Sequence, residues 1–101
     1  MPILVHEEKP IGVVTVGGSW TANTASINGL LKQVVVRSTS DDTMFDFSLT
    51  SDLADVVYRR TDVTHLINEE IEVPFHGVYT MAITNATKNE AFTILLSVQE
   101  R

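Results

Sequence analysis

Phe75-His76-Gly77-Val78-Tyr79-Thr80-Met81-Ala82-Ile83-Thr84 is followed by Asn85-Ala86-Thr87-Lys88-Asn89-Glu90 and then by Ala91-Phe92-Thr93-Ile94-Leu95-Leu96-Ser97-Val98-Gln99. Tyr79, Met81 and Ile83 alternate with Val78, Thr80, Ala82 and Thr84. Phe92, Ile94, Leu96 and Val98 alternate with Ala91, Thr93, Leu95, Ser97 and Gln99. A period of two bounded by turn-forming residues marks strands with one buried face. Pro74 and Gly77 punctuate the start. The short connection predicts a β-hairpin over Phe75–Val98, with the two alternating apolar sets as its inner face.

The same grammar extends outward. Phe45, Phe47 and Leu49 alternate with Met44, Asp46 and Ser48, a half-buried strand. A β-branched run predicts a strand from about Leu31 to Arg37. The turn cluster Ser38-Thr39-Ser40-Asp41-Asp42 between these two predicts a second hairpin. Thr50-Ser51-Asp52-Leu53 has the makings of a helix start, but any helix there is too short to stand alone. A turn and then a strand over Val56–Arg60, with Val56 and Tyr58 inward, is the better reading. Asp62-Val63-Thr64 is read as a connection. From Leu66 to Phe75, Ile67, Ile71, Val73 and Phe75 share one face, while Asn68, Glu70, Glu72 and Pro74 share the other. Pro74 places this strand at a sheet edge or strand end. Ile11–Val16 is a continuous apolar run, expected to be buried on both faces or against a partner. Gly17-Gly18-Ser19 ends it.

About eight short strands, with no helix able to form a layer, predict an all-β protein: an antiparallel β-sandwich or jelly roll. We divide the chain into residues 1–10, an N-terminal arm or edge strand, and residues 11–101, a single sandwich domain. The chain has 101 residues, 44% of them hydrophobic, enough for one packed core. Cysteine is absent, which excludes disulfides and thiolate metal sites and fits an intracellular origin. No basic segment followed by an apolar one opens the chain, so no signal peptide is expected, and no apolar run approaches the ~20 residues of a membrane helix. The net charge of −6 argues against nucleic acid and anionic membranes as partners. A mean hydropathy of +0.10 is high for so small a domain and points to apolar surface at an interface, expected to be homo-oligomeric.

Chemistry is harder to find. His6, His65 and His76 fall in no metal-binding spacing. Asp41, Asp42 and Asp46, and Asp52 and Asp55, lie near two turns without the ligand spacing of a calcium loop, so solvated turns are expected. Glu70 and Glu72 read as a charged outer strand face or a protected edge rather than a glycosidase pair. No nucleophile elbow or phosphate loop is present, and no histidine neighbours a nucleophile in sequence. No catalytic residue, metal or cofactor is therefore expected. Asn85-Ala86-Thr87 is a formal glycosylation sequon read here as a turn. The candidate interface residues are Ile3, Leu4 and Val5 in the apolar N-terminal segment, and Trp20, the single tryptophan.

Over residues 43–98 the segments Met44–Leu49, Asp55–Arg59, Ile71–Ile83 and Phe92–Val98 resemble the small β-sandwich structural proteins of tailed bacteriophages. The Gly77-Val78-Tyr79 strand and the last strand also resemble jelly-roll domains appended to secreted bacterial peptidases, which would imply export and often calcium. The phage resemblance suits a cysteine-free chain without a signal peptide. It implies a non-enzymatic virion protein made in the host bacterial cytoplasm, a capsid decoration or cement protein. Its partners would be capsid or other virion proteins and its own copies, as a trimer on a capsid lattice. A carbohydrate-binding or adhesion module using Trp20 and the loop acids is the alternative, and a small hydrolase a third with no constellation behind it.

Overall fold

The computed structural model describes residues 4–7, 11–24 and 26–100. Nine strands run in chain order: β1 (Leu4–Glu7), β2 (Ile11–Val14), β3 (Trp20–Asn23), β4 (Ile27–Ser38), β5 (Met44–Ser51), β6 (Val56–Thr64), β7 (Leu66–Gly77), β8 (Tyr79–Thr84) and β9 (Ala91–Glu100). Every ladder is antiparallel. One sheet runs β1-β9-β4-β7, with β2 also on β9, and the other runs β3-β8-β5-β6.

The pairing is nested. β5 pairs with β6, β4 with β7, β3 with β8, and β2 with β9. The chain is thus a long two-stranded ribbon closed at the β5–β6 turn and wrapped into two layers, the winding of a jelly roll. Two further ladders, β4 with β9 and β5 with β8, close the wrap within each sheet.

This winding overturns both expected hairpins. β8 and β9 lie in different sheets, as do β4 and β5, and among the described strands β5 and β6 are the only consecutive ones that pair along a ladder. The alternation in Phe75–Val98 does identify the inner face. Tyr79, Met81 and Ile83 meet Phe92, Ile94, Leu96 and Val98 from opposite layers of one core. A period of two says which side chains point inward but not which strand lies alongside. Asn85–Glu90 crosses between layers instead of turning within one.

The core is apolar and closed. Phe45 and Phe92 touch edge to face between the sheets, with centroids 5.1 Å apart. Phe47 meets Tyr58 at 6.2 Å, and Phe75 stacks on Tyr79 at 4.0 Å. Leu31, Val34, Val36, Leu49 and Ile67 complete the buried set. Each fully buried side chain of this kind contributes about 1.5–3 kcal/mol of transfer free energy.

Several local readings need correction. β4 extends beyond the expected strand at both ends, and a register shift between Leu31 and Gln33 lets Leu31 and Val34 both point inward. β6 continues through Asp62-Val63-Thr64, which is not a connection. Tyr58 is buried but Val56 is 54% exposed, because the β5–β6 ladder shifts register between Leu49 and Thr50. The strand at Ile11 stops at Val14, and within this chain its end is not buried on both faces: Val14 is 60% and Val16 79% exposed.

Other readings hold. Ser51–Asp55 is a turn: Ser51 Oγ accepts hydrogen bonds from the backbone N–H groups of Leu53 and Asp55. β7 is a sheet edge, with Pro74, Glu70 and Glu72 exposed along it. Charge and proline on an edge discourage pairing with another chain.

Candidate functional site

The winding gathers the β2–β3, β4–β5, β6–β7 and β8–β9 connections at one end of the sandwich. Gly17 and Gly18 make the first of these, with φ of 61° and 76°. Val16 and Ser19 exchange backbone hydrogen bonds of 3.0 and 3.2 Å across them. A two-residue hairpin turn with both central φ positive is the reason for the glycine pair. Gly18 is further constrained because a Cβ there would lie 3.0 Å from the Ala86 carbonyl oxygen.

This turn is tied down. Gly18 N–H donates to Asn89 Oδ1 at 2.8 Å, and Ala86 N–H donates to the Gly18 carbonyl at 3.0 Å. Thr15 Oγ1 donates to the Lys88 carbonyl and accepts from Glu90 N–H, each at 3.2 Å. Val16 therefore sits exposed at the tip of a turn whose backbone is fixed.

Glu90 ties the next loop. Its carboxylate accepts from Thr43 Oγ1 at 2.5 Å, from Ser40 Oγ at 2.8 Å and from Ser40 N–H at 3.2 Å. The Thr43 hydroxyl, then Ser40, holds its pKa below the usual carboxylate value. Lys88 pairs with Asp42 at 2.7 Å, lowering the Asp42 pKa and raising that of Lys88.

His65 shows a contact that the sequence hides. Its Nδ1 lies 3.1 Å from Ser38 Oγ and 3.2 Å from the Ser40 carbonyl. The expectation that no histidine stands beside a nucleophile is therefore wrong in space, though the two residues are far apart in sequence. The pair is not built for proton abstraction. A carbonyl neighbour makes Nδ1 the hydrogen-bearing nitrogen, and the Ser38 hydroxyl already has the Ser40 carbonyl at 2.8 Å and the His65 carbonyl at 3.1 Å as acceptors. Ser38 is also buried.

Beside this knot an open depression of about 440 Å³ is lined by Arg37, Ser38, Thr39, His65, Ala91 and Thr93. A smaller one of about 110 Å³, on the other sheet, is lined by Asp46, Phe47, Ser48, Val56, Arg59 and Thr84.

At the closing edge of the layers Glu69 faces inward from β7. It accepts from Arg60 Nε at 2.6 Å, Arg60 Nη2 at 2.8 Å and Tyr58 Oη at 3.0 Å. The Arg60 guanidinium lies 4.7 Å from the Tyr58 ring centroid. Arg60 holds the Glu69 pKa down, and burial with Glu69 beside it pushes the Tyr58 hydroxyl up. Inward parity with Ile67 and Ile71 was the signal in the sequence that Glu69 needed a partner.

The candidate interface residues fall in different places. Ile3 lies outside the described residues. Leu4 and Val5 lie on β1, their backbones in register with Glu100 and Gln99 of β9. β1 and β2 run end to end along β9, so the segment is an edge strand on its own sheet. Trp20 opens β3 and packs, partly buried, against the core. The structure does not bring Trp20 and β1 together, since β3 and β1 lie in different sheets.

The acidic residues are dispersed, and no cluster of three or more His, Asp or Glu fit for a metal occurs among the described residues. Asp46 accepts from Asp62 N–H and Asn85 Nδ2, each at 2.8 Å, and Asn85 holds its pKa down. The sequon asparagine is thus engaged in a turn. His76 Nδ1 contacts Asn28 Oδ1 at 2.6 Å at the opposite end of the sandwich. Among the described residues no helix is long and apolar enough to cross a membrane. The fold and this surface define a small jelly-roll β-sandwich with a rigid, loop-bearing end. No protein-family model matches the chain, and no curated protein matches it in sequence.

Proposed function

We propose that the chain is a non-enzymatic virion structural protein that decorates or cements a bacteriophage capsid, made in the bacterial cytoplasm and assembled onto the particle. The observation that carries this reading is the exposure of Val14 at the end of β2 and of Val16 on the turn beyond it, at 60% and 79%, where hydrogen bonds hold the backbone. Apolar side chains fixed on a rigid surface bind a protein partner without an ordering cost. The jelly roll is a common architecture of viral capsid domains, which supports the reading by fold analogy alone. The partners are capsid subunits and further copies of the chain, with a trimer the arrangement that a capsid lattice favours.

The alternative of a carbohydrate module built on Trp20 and the loop acids has less support. Trp20 packs on the core, and Asp42 and Asp46 are taken up by Lys88 and by Asp62 and Asn85.

Light scattering of the purified protein, together with co-sedimentation on capsids from the genome that encodes it, tests the reading. A closed oligomer that binds the particle is expected. Val14→Asp with Val16→Asp should abolish particle binding while changing stability by no more than about 1 kcal/mol, the usual effect of two surface substitutions. A monomer that ignores the capsid, or a double variant that binds like the parent, overturns it.

A further inference from the structure

The depression beside His65 has no part in the capsid contact proposed above. Its volume of about 440 Å³ lies within the roughly 300–1,000 Å³ of small-molecule sites. We propose that it binds an acidic sugar, with Arg37 receiving the carboxylate.

The cations of the chain carry the first step. Lys32, Arg60 and Lys88 are ion-paired at 2.8, 2.6 and 2.7 Å, and Arg59 lies near enough to Asp46 to help lower its pKa. Arg37 has no acidic partner among the described residues, although acidic residues outnumber basic ones in the chain. An unpaired guanidinium in a concave site is a ready two-pronged donor for a planar carboxylate. Glu90 stands next to Ala91, but its carboxylate is turned towards Ser40 and Thr43.

The rest of the lining suits a sugar better than a bare ion. The His65 Nδ1 is occupied, so Nε2 is the ring nitrogen left for a ligand hydroxyl. Thr39 Oγ1 gives its hydrogen to the Ala91 carbonyl at 2.7 Å and keeps acceptor capacity, and Thr93 adds a second hydroxyl. Along the β4–β7 ladder Leu66 is the register partner of Arg37. Leu66 is 44% exposed, so apolar surface flanks the polar groups, as the C–H face of a pyranose requires.

Two-dimensional amide NMR titration tests the site with D-glucuronate, glucose and inorganic phosphate as probes, and reports in the same spectra that each variant is folded. Glucuronate should give saturable shifts at Thr39, Ala91 and Thr93. Arg37→Gln should weaken it by about tenfold or more, the equivalent of one good charged hydrogen-bond pair. His65→Asn should weaken it several-fold, and Arg59→Gln, on the opposite sheet, not at all. The proposal is overturned by no saturable shift, by glucose binding as well as glucuronate, by phosphate binding as tightly, or by an unaffected Arg37→Gln. None of these outcomes bears on particle binding through Val14 and Val16.

Discussion

The contact between Phe45 on β5 and Phe92 on β9 can be measured as a coupling across the sandwich. Both rings are about 1% exposed, with centroids 5.1 Å apart and planes at 79°. Replacing either by leucine keeps most of the apolar volume and should cost about 1–2 kcal/mol. Edge-to-face aromatic pairs add about 0.5–1.5 kcal/mol beyond area burial. Phe45→Leu with Phe92→Leu should therefore cost less than the two single changes together by that amount. Leucine rather than alanine is needed, because two alanines would approach the whole ~5–15 kcal/mol stability of a domain. The assay is urea unfolding of the four proteins, where a slope of about 1–3 kcal/mol per molar turns each single change into a readable midpoint shift. Phe75, at the opposite end of the sandwich, gives the control: Phe75→Leu with Phe92→Leu should be additive within about 0.5 kcal/mol. Full additivity for Phe45 and Phe92 would refute the placement of β5 and β9 in facing layers.

Two further outcomes follow from the edge and the turn. The Glu69 pKa is lowered below its usual 4.5, first by Arg60, so its contribution is present above that pH and is lost as pH falls through the folded value. Its side chain is 35% exposed, so Glu69→Gln should cost less than about 1 kcal/mol at pH 7, and the gap to the parent should close below pH 4.5 in urea unfolding; a gap independent of pH would contradict this. Gly18→Ala combines φ of 76° with a Cβ 3.0 Å from a backbone oxygen, whereas Gly77→Ala has φ of 90° and open space. Both should destabilise the fold in urea unfolding, Gly77→Ala by about 1 kcal/mol of backbone strain and Gly18→Ala by more; equal losses would mean that the Ala86 contact is not felt.

The sequence carried the all-β class and the inward faces well, because alternation reports directly on burial. Phe45, Phe47, Leu49, Met81 and Ile94 are buried as their spacing implies. Pairing was not legible, because Asn85–Glu90 and Ser38–Thr43 have the length of hairpin loops yet cross between layers. Val56 was misjudged because a register shift follows Leu49, and no residue type marks such a shift. The candidate sites suffered most. Ser38 meets His65, and Arg37 stands over Thr93, only through the β4–β7 and β4–β9 ladders. Trp20 was a candidate interface residue as the single tryptophan, and it packs, partly buried, against the core at the start of β3.

The place of β9 sets the order in which the sandwich can assemble. Among the nine strands β9 follows the other eight in chain order, and it lies between β4 on one side and β1 and β2 on the other. Until it docks, β1 and β2 have no backbone partner in their sheet and the core lacks Phe92, Ile94, Leu96 and Val98. The β5–β6 hairpin is the one ladder with a short loop to close, so it is the natural seed, and ordering spreads outward from it to ever more distant partners. β1 and β2 therefore stay unpaired in their sheet until β9 docks. An intermediate that has formed the other strands but not yet docked β9 is the species most exposed to aggregation.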